Sequence, residues 1–243
     1  MPEGPSIVIL KEEVQQFAGQ EIIAASGTSN IDIERLEHKK IREFRTWGKH
    51  FLICFDDFTV KIHLLMFGTY LINDQKKLKP RLSLTFKKGE LNFYTCSIKV
   101  LEGDIETQYD WSRDVMNENW NPKKAKESLE KIPETMICDA VLDQNIFSGV
   151  GNIIKNEVLF RCFIHPESLT GKIPTHDLNQ LISECSVYSF EFLYWKKKSE
   201  LKQHWQAHTK KICPRCNIPL HKKQTGNKKR RSFFCTNCQV LHK

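Results

Sequence analysis

Two pairs of cysteines near the end of the chain have the spacing of a metal site. Cys213-Pro-Arg-Cys216 and Cys235-Thr-Asn-Cys238 bracket eighteen residues. Each pair forms a tight knuckle that turns two sulfurs to one side. Two knuckles supply the closed tetrahedral thiolate set of structural Zn2+. A redox CxxC is the competing reading of either pair alone. Four thiolates leave no position for water, so a zinc here is expected to be structural, and His221 is not needed as a ligand. The remaining cysteines, Cys54, Cys96, Cys138, Cys162 and Cys185, stand singly in apolar segments and read as buried thiols of a reduced compartment.

The start of the chain, MPEGPSI, offers different chemistry. Proline is a small penultimate residue, so removal of Met1 is expected to leave Pro2 with a free secondary amine. An α-amine titrates at about 7.7–8.0, well below a lysine, and is partly neutral and nucleophilic near neutral pH. Attack on a sugar C1′ would give an iminium, an electron sink for later elimination. Glu3 stands beside it to donate or relay protons. An ordinary disordered terminus is the alternative. Lys49, after Gly48 in RTWGKHFLICF, is either a further reactive cation or a solvated residue entering a strand.

A third group lies in DAVLDQNIFSGVGNIIKNEVLF, which reads as helix, a turn through Gly149 and Gly151, and a second helix from Asn152. A helix N-terminus presents unsatisfied N–H groups and a positive dipole end, which suits phosphate. Asn152 is either a plain N-cap or a phosphate donor, and one residue can do both.

These groups need a scaffold. PSIVILKEEVQQFA (5–18) reads as an amphipathic helix. From about 21 to 108, the runs HFLICF, TVKIHLL, LSLTF, LNFYT and SIKVL, separated by GK, DD, ND and KKG turns, indicate an antiparallel sandwich or barrel. Residues 109–122 are polar and turn-rich, as an interdomain linker would be. KKAKESLEKI, ETMICDAVLDQN, NIIKNEVLF and HDLNQLISECSVYSFEFLYW are candidate helices. In the cysteine module, Ile218–Lys223 and Arg230–Phe234 can pair as a ribbon turning at QTGNKK, with Lys228, Lys229, Arg230 and Arg231 at its tip. The expected organisation is a β domain over 1–115, a helical domain over 123–209 and a zinc finger over 210–243.

Net charge is +8, and residues 196–243 hold fourteen Lys and Arg against one acid, Glu200. Such a block attracts polyanions, nucleic acid first among them, although a solvated tail would look the same. No apolar run is long enough to span a bilayer, and the start lacks a signal-peptide pattern. The reading is therefore a cytoplasmic, nucleoid-associated monomer that binds DNA and no membrane.

Taken together, the sequence resembles the formamidopyrimidine-DNA glycosylase and endonuclease VIII family nearly end to end. The motifs are MPEGP, WGK near 49, HLLMFG near 63, GVGNIIKNEVLF followed by IHPES, and the terminal C-x2-C with RRSFFCTNCQ. The resemblance implies an α+β multidomain fold: an N-terminal helix with an antiparallel β-sandwich, then a helix–two-turn–helix domain ending in a zinc β-ribbon. It implies a DNA glycosylase and apurinic/apyrimidinic (AP) lyase that acts on damaged DNA by β,δ-elimination. Pro2 matches the Schiff-base nucleophile, Glu3 the acid that protonates the deoxyribose ring oxygen, and Lys49 the lysine assisting β-elimination. Asn152 matches the phosphate-binding asparagine and Glu157 an active-site glutamate. Arg230 matches the ribbon arginine assigned to lesion phosphates and δ-elimination, with Arg231 one residue off that register. Lys155 is grouped with the phosphate-facing residues. Leu65, Met66 and Phe67 match the residues that fill the gap left by a flipped base, a task suited to apolar wedges. From their strand pattern alone, Met66 and Phe67 would be core.

Three features depart from the 8-oxoguanine branch. Ser6 stands where many members have glutamate. The segment from Glu191 to Cys213 has no room for a long base-capping loop. No Arg-x-Phe pair occurs around residues 90–105. These favour the endonuclease VIII branch and oxidised pyrimidines. A non-catalytic protein of the same fold that recognises damaged or abasic DNA is the alternative from another class.

Overall fold

A computed structural model describes residues 2–243. The chain divides into two compact units, Met1–Asp110 and Trp111–Lys243.

The first unit opens with helix α1 (Gly4–Glu13). Pro5 suits its first turn, where no N–H is needed. The α-helix ends five residues before the expected stop at 18, and a 3₁₀ turn at Gln15–Phe17 completes the segment. Eight strands follow: β1 (Ala24–Ser26), β2 (Glu43–Trp47), β3 (His50–Cys54), β4 (Phe58–His63), β5 (Thr69–Ile72), β6 (Leu82–Phe86), β7 (Gly89–Tyr94) and β8 (Ser97–Glu102). They form two antiparallel four-stranded sheets, ordered β1-β6-β7-β5 and β2-β3-β4-β8. Burial alternates along β6 with the period of a pleated strand covered on one face. The apolar cluster of the unit combines Ile7, Leu10, Val14 and Phe17 with Phe51, Ile53, Val60, Ile62, Leu84, Leu91 and Phe93. Helix α1 packs on β2 and β3. The short strands β1, β2 and β5 were not individually visible as apolar runs; their residues are mostly half-buried.

The second unit contains α2 (Pro122–Glu130), α3 (Ile137–Ala140), α4 (Asn152–Arg161) and α5 (Thr175–Lys197), then a ribbon of β9 (His221–Thr225) and β10 (Arg230–Phe234). Asn121 caps α2 by accepting from the N–H groups of Lys123 and Lys124, at 3.0 and 3.3 Å. A cap of this type contributes about 1 kcal/mol. The expected linker is part of this unit. Val115 is buried in its core, its N–H donates to the Ser148 carbonyl, and the Asn121 N–H donates to Ser112.

The helix expected over 134–145 shrinks to the four residues of α3. Local side-chain bonds win over helical periodicity here. Asp143 accepts the N–H of Asn145, and Gln144 accepts from the N–H of Gly149 while donating to the carbonyls of Leu142 and Val150. The result is two turns between α3 and α4. The ribbon's first strand lies three residues later than expected, at 221–225. The core joins Val141, Phe147, Val150, Ile154 and Val158 to Leu181, Cys185, Tyr188 and Phe192. Among the described residues no helix is long and apolar enough to cross a membrane.

Candidate functional site

In the first unit, Pro2 is half-buried and Glu3 fully buried, immediately before α1. Glu3 has extended backbone, and its carbonyl accepts the Ser6 N–H at 2.8 Å. The segment is ordered and packed, not a loose end. Lys49 is in the two-residue turn between β2 and β3, where Trp47 pairs with His50, and does not enter the strand. The turn needs a left-handed first residue, which Gly48 supplies with φ 54°.

Strand register then fixes a neighbour for this turn. His50, the first residue of β3, pairs with His63, the last of β4. The loop after β4 therefore leaves the sheet at the same end as Lys49. That loop carries Leu65, Met66 and Phe67, which are 49, 50 and 76% exposed. They are not strand core. The turn is closed by the Gly68 N–H donating to Leu64 at 2.7 Å, and the Leu65 N–H donates to His63 Nδ1 at 3.1 Å. Three large apolar side chains in series on a backbone-fixed turn form a wedge facing solvent.

Behind these turns lies a cluster of Trp47, His50, His63 and Tyr109 that sequence reading missed. The His50 and His63 rings meet edge-on at 5.6 Å, and His50 Nδ1 is 3.1 Å from the Tyr109 hydroxyl. Burial, then Lys61, His63 and Lys49, push His50 down to about 4. Burial, Lys49 and Lys61 also lower His63. Both imidazoles are neutral near pH 7. The pairing is invisible in sequence because it depends on register between strands.

In the second unit, Gly151 is the N-cap of α4 and Asn152 its first helical residue. The Asn152 side chain is buried and donates from Nδ2 to the Arg231 carbonyl at 3.0 Å. Lys155 is fully buried, so the phosphate-facing reading of this residue is corrected. Its Nζ donates to Ser232 Oγ at 2.8 Å and to the Arg231 carbonyl at 3.3 Å. Asn156 completes the set, donating to that carbonyl at 3.3 Å and accepting the Phe233 N–H at 3.1 Å. Ser232 Oγ lies 2.6 Å from Thr225 Oγ1 across the ribbon. One face of α4 thus holds β10 by buried polar bonds.

Glu157, expected as an active-site glutamate, has a structural task in this unit. It is fully buried, and its carboxylate accepts the N–H groups of Gln206, Ala207 and His208 at 2.8, 3.0 and 2.6 Å. Burial raises its carboxyl above the usual range, against those three donors. It fixes the segment after α5 and is not a surface ligand. Arg230 is half-buried and Arg231 exposed at the start of β10.

Cys213, Cys216, Cys235 and Cys238 come together with their sulfurs all within 4.8 Å of one another. Cys213 Sγ and Cys238 Sγ are 3.8 Å apart. Tetrahedral zinc with bonds of about 2.3 Å places sulfurs about 3.8 Å apart, so the set fits that ion. Asn237 Nδ2 donates to Cys216 Sγ at 3.2 Å, the kind of outer contact that favours thiolate. These four cysteines can hold a metal ion. Arg215, inside the first knuckle, stacks its guanidinium 4.0 and 3.8 Å from the ring centres of Phe160 and Phe163, tying the knuckle to the end of α4. The five isolated cysteines are buried and free, as expected. Burial pushes Cys96 up to about 11 and Cys162 up to about 12, which makes them poor nucleophiles.

Comparison with known proteins gives this architecture its class. The crystal structure of Lactococcus lactis formamidopyrimidine-DNA glycosylase, bound non-covalently to AP-site DNA, superposes with a TM-score of 0.87 at 22% identity, covering 98% of this chain and 99% of that one. A structure of MutM in complex with DNA containing carbocyclic 8-oxoguanine gives the same TM-score, 0.87, at 23% identity. The fold is that of these glycosylases. The family model for the formamidopyrimidine-DNA glycosylase N-terminal domain matches residues 1–97, and that for the formamidopyrimidine-DNA glycosylase H2TH domain matches 112–188. Endonuclease 8-like 3 of Xenopus laevis is 27% identical over 231 residues, covering 90% of this chain and 38% of the relative. Endonuclease 8-like 2 of Bos taurus is 31% identical over 189 residues, covering 72% and 56%. The chain belongs to the formamidopyrimidine-DNA glycosylase and endonuclease VIII family. It spans only 38% and 56% of the lengths of these two relatives.

Proposed function

We propose that this chain is a bifunctional DNA glycosylase and AP lyase of base excision repair that removes oxidised pyrimidines. The observation that carries this reading is the burial of Glu3, 0% exposed, directly after Pro2 at the head of α1. A buried carboxylate is costly unless its surroundings hold it in place. The segment lies within the match to the family's N-terminal domain.

The Pro2 amine attacks C1′ and the damaged base leaves, with Glu3 protonating the ring oxygen as the sugar opens. The resulting iminium withdraws electrons, a proton is lost from C2′, and the 3′ phosphate departs. Lys49 assists that elimination and Arg230 the second one. The Leu65–Phe67 wedge fills the gap left by the flipped nucleotide. One zinc on the four thiolates would hold the knuckles closed, leaving Arg230 and Arg231 on a stiff ribbon.

The preference for pyrimidines is supported by residues 198–212. This short segment is anchored at a few points: Ala207 is fully buried, Glu157 holds the N–H groups of 206–208, and Trp195 stacks on His204 at 4.2 Å. It supplies no long loop to cap a flipped purine. Oxidised pyrimidines are smaller, non-planar and weakly stacked, so they are cheaper to extrude.

Borohydride trapping on abasic DNA tests the chemistry. The wild type should form a covalent adduct at Pro2, and Pro2→Gly should reduce trapping by roughly 10²-fold or more. Full trapping by that variant, with the adduct on a lysine, would overturn the nucleophile. No trapping by the wild type would favour a non-catalytic binder. Faster single-turnover excision of 8-oxoguanine than of thymine glycol would overturn the substrate class.

A further inference from the structure

The tip of the ribbon is a four-residue turn, Gly226-Asn227-Lys228-Lys229, with positive φ at Gly226 (68°) and Lys229 (47°). Successive backbone N–H groups in such a turn form a concavity that binds anions. Here the anion comes from the same chain. Asp139 of α3 is only 7% exposed, and its carboxylate accepts the N–H groups of Asn227 at 2.6 Å and Lys228 at 3.1 Å. Lys228 Nζ folds back onto the Asp139 carbonyl at 3.2 Å. The approach is so close that a Cβ on Gly226 would meet the carboxylate at 2.3 Å.

We propose that Asp139 is a positioning residue that sets the pose of the cationic ribbon tip, and so determines how many phosphates the tip can engage. The α4 side chains hold β10 at residues 231–233. Within the tip, the Lys229 N–H donates to the Gly226 carbonyl at 3.2 Å and Arg230 pairs with Thr225, which shapes the turn but does not tie it to the helices. The Asp139 carboxylate makes that tie by accepting two consecutive tip amides from α3. It also sorts the tip cations. All of Lys228, Lys229 and Arg231 are exposed, but the Lys228 ammonium is already engaged with the Asp139 carbonyl, whereas Lys229 and Arg231 lie further along the tip. A mobile tip would incur an ordering cost on binding a polyanion, and a preset one would not.

This inference rests on the proposed DNA-binding function, and the experiment separates the two. Binding of undamaged duplex is measured against salt concentration for the full chain, alongside amide hydrogen exchange and zinc content. The wild type should show a steep loss of affinity with salt; no binding at any salt would sink the functional reading itself. Asp139→Ala should speed exchange at Asn227 and Lys228 at least tenfold and keep its zinc. Its salt slope should be shallower by roughly 0.9 for each phosphate that the tip no longer reaches. A merely structural defect would reduce the active fraction and leave the slope unchanged. Gly226→Ala crowds the carboxylate and also strains a position with φ 68°, so it perturbs the tip as a whole and should shift slope and exchange in the same direction; Asp139→Asn decides the case if Asp139→Ala does not fold. Asp139→Asn, which keeps one acceptor oxygen, should fall between Asp139→Ala and wild type. A wild-type salt slope in either disruptive variant with the tip amides deprotected would overturn the proposal. So would tip amides that stay protected without the carboxylate.

Discussion

In the sandwich unit, Lys49 and the Leu65–Phe67 wedge stand on short turns whose shapes come from the backbone. The two turns share an end of the sheet because His50 pairs with His63. In the second unit, the ribbon cations are held by buried polar side chains, with Asp139 at the tip, Asn152, Lys155 and Asn156 along β10, and Glu157 under the following segment. The wedge turn should tolerate side-chain replacement, since its closing bonds come from the backbone and the side chains of Leu65–Phe67 face solvent. The second arrangement does not, since each buried donor or acceptor left unpaired costs about 1–3 kcal/mol. Side chains aimed at solvent and side chains that aim others thus carry different risks on mutation.

The largest effect is expected from Cys235→Ser, which should abolish zinc binding and expose the 213–238 segment to exchange, with the sandwich's amide protection unchanged. Structural zinc contributes an apparent 10–16 kcal/mol or so in small zinc modules. Zinc retained at full occupancy would reject the four-thiolate site. Next, Glu157→Ala strands three N–H donors and should destabilise the second unit by several kcal/mol in denaturant unfolding, on the order of 1–3 for each. A cost below about 1 kcal/mol would mean that the carboxylate is dispensable.

Phe67→Ala should be the reverse case. At 76% exposure its stability should stay within about 0.5 kcal/mol of wild type. Excision from duplex should nevertheless fall about tenfold, equivalent to about 1.4 kcal/mol. Unchanged excision would remove the wedge from the mechanism. Lys155→Met keeps the buried stem and loses the ammonium, so it should cost about 1–2 kcal/mol of stability and leave the salt slope of DNA binding untouched. A shallower slope would restore Lys155 as a phosphate ligand. The last test concerns pH. His50 is held near 4 by burial, against an ordinary value of about 6.5, so the unfolded chain takes up this proton first. Its contribution to stability is complete above about pH 6.5 and is lost as pH falls toward 4. His50→Phe should flatten that part of the stability profile of the sandwich unit; an unchanged profile would show that another group controls it.

Much of this architecture was readable in advance, for identifiable reasons. The core strands β3, β4, β6, β7 and β8 carry continuous or alternating apolar runs, and α5 has a long helical period. Glycine marked the Lys49 turn because only a left-handed residue closes a two-residue hairpin there. The four clustered cysteines were evident as a metal-ligand set because ligand spacing within a knuckle is a local property. Where the reading failed, a distant partner decided. Lys155 follows Asn152 in a motif that suggests phosphate, yet it is buried against a segment more than seventy residues away in sequence, and the three amides that Glu157 holds are equally out of reach of local reading. Met66 and Phe67, which their strand pattern alone would make core, were set apart only by the family resemblance, and the turn at Leu64–Gly68 exposes them.

Residue type and short-range spacing were enough for the order of elements, the cysteine set, the basic C-terminal block and the candidate reactive groups. The tertiary structure alone decided which charged groups face solvent and which are occupied in holding others. A lysine or glutamate looks the same in sequence whether its partner is a phosphate or a backbone amide. The outcome depends on how much water the surrounding elements exclude, and for Lys155, Glu157 and Asp139 that is settled by the packing of the ribbon and the 206–208 segment against α3 and α4.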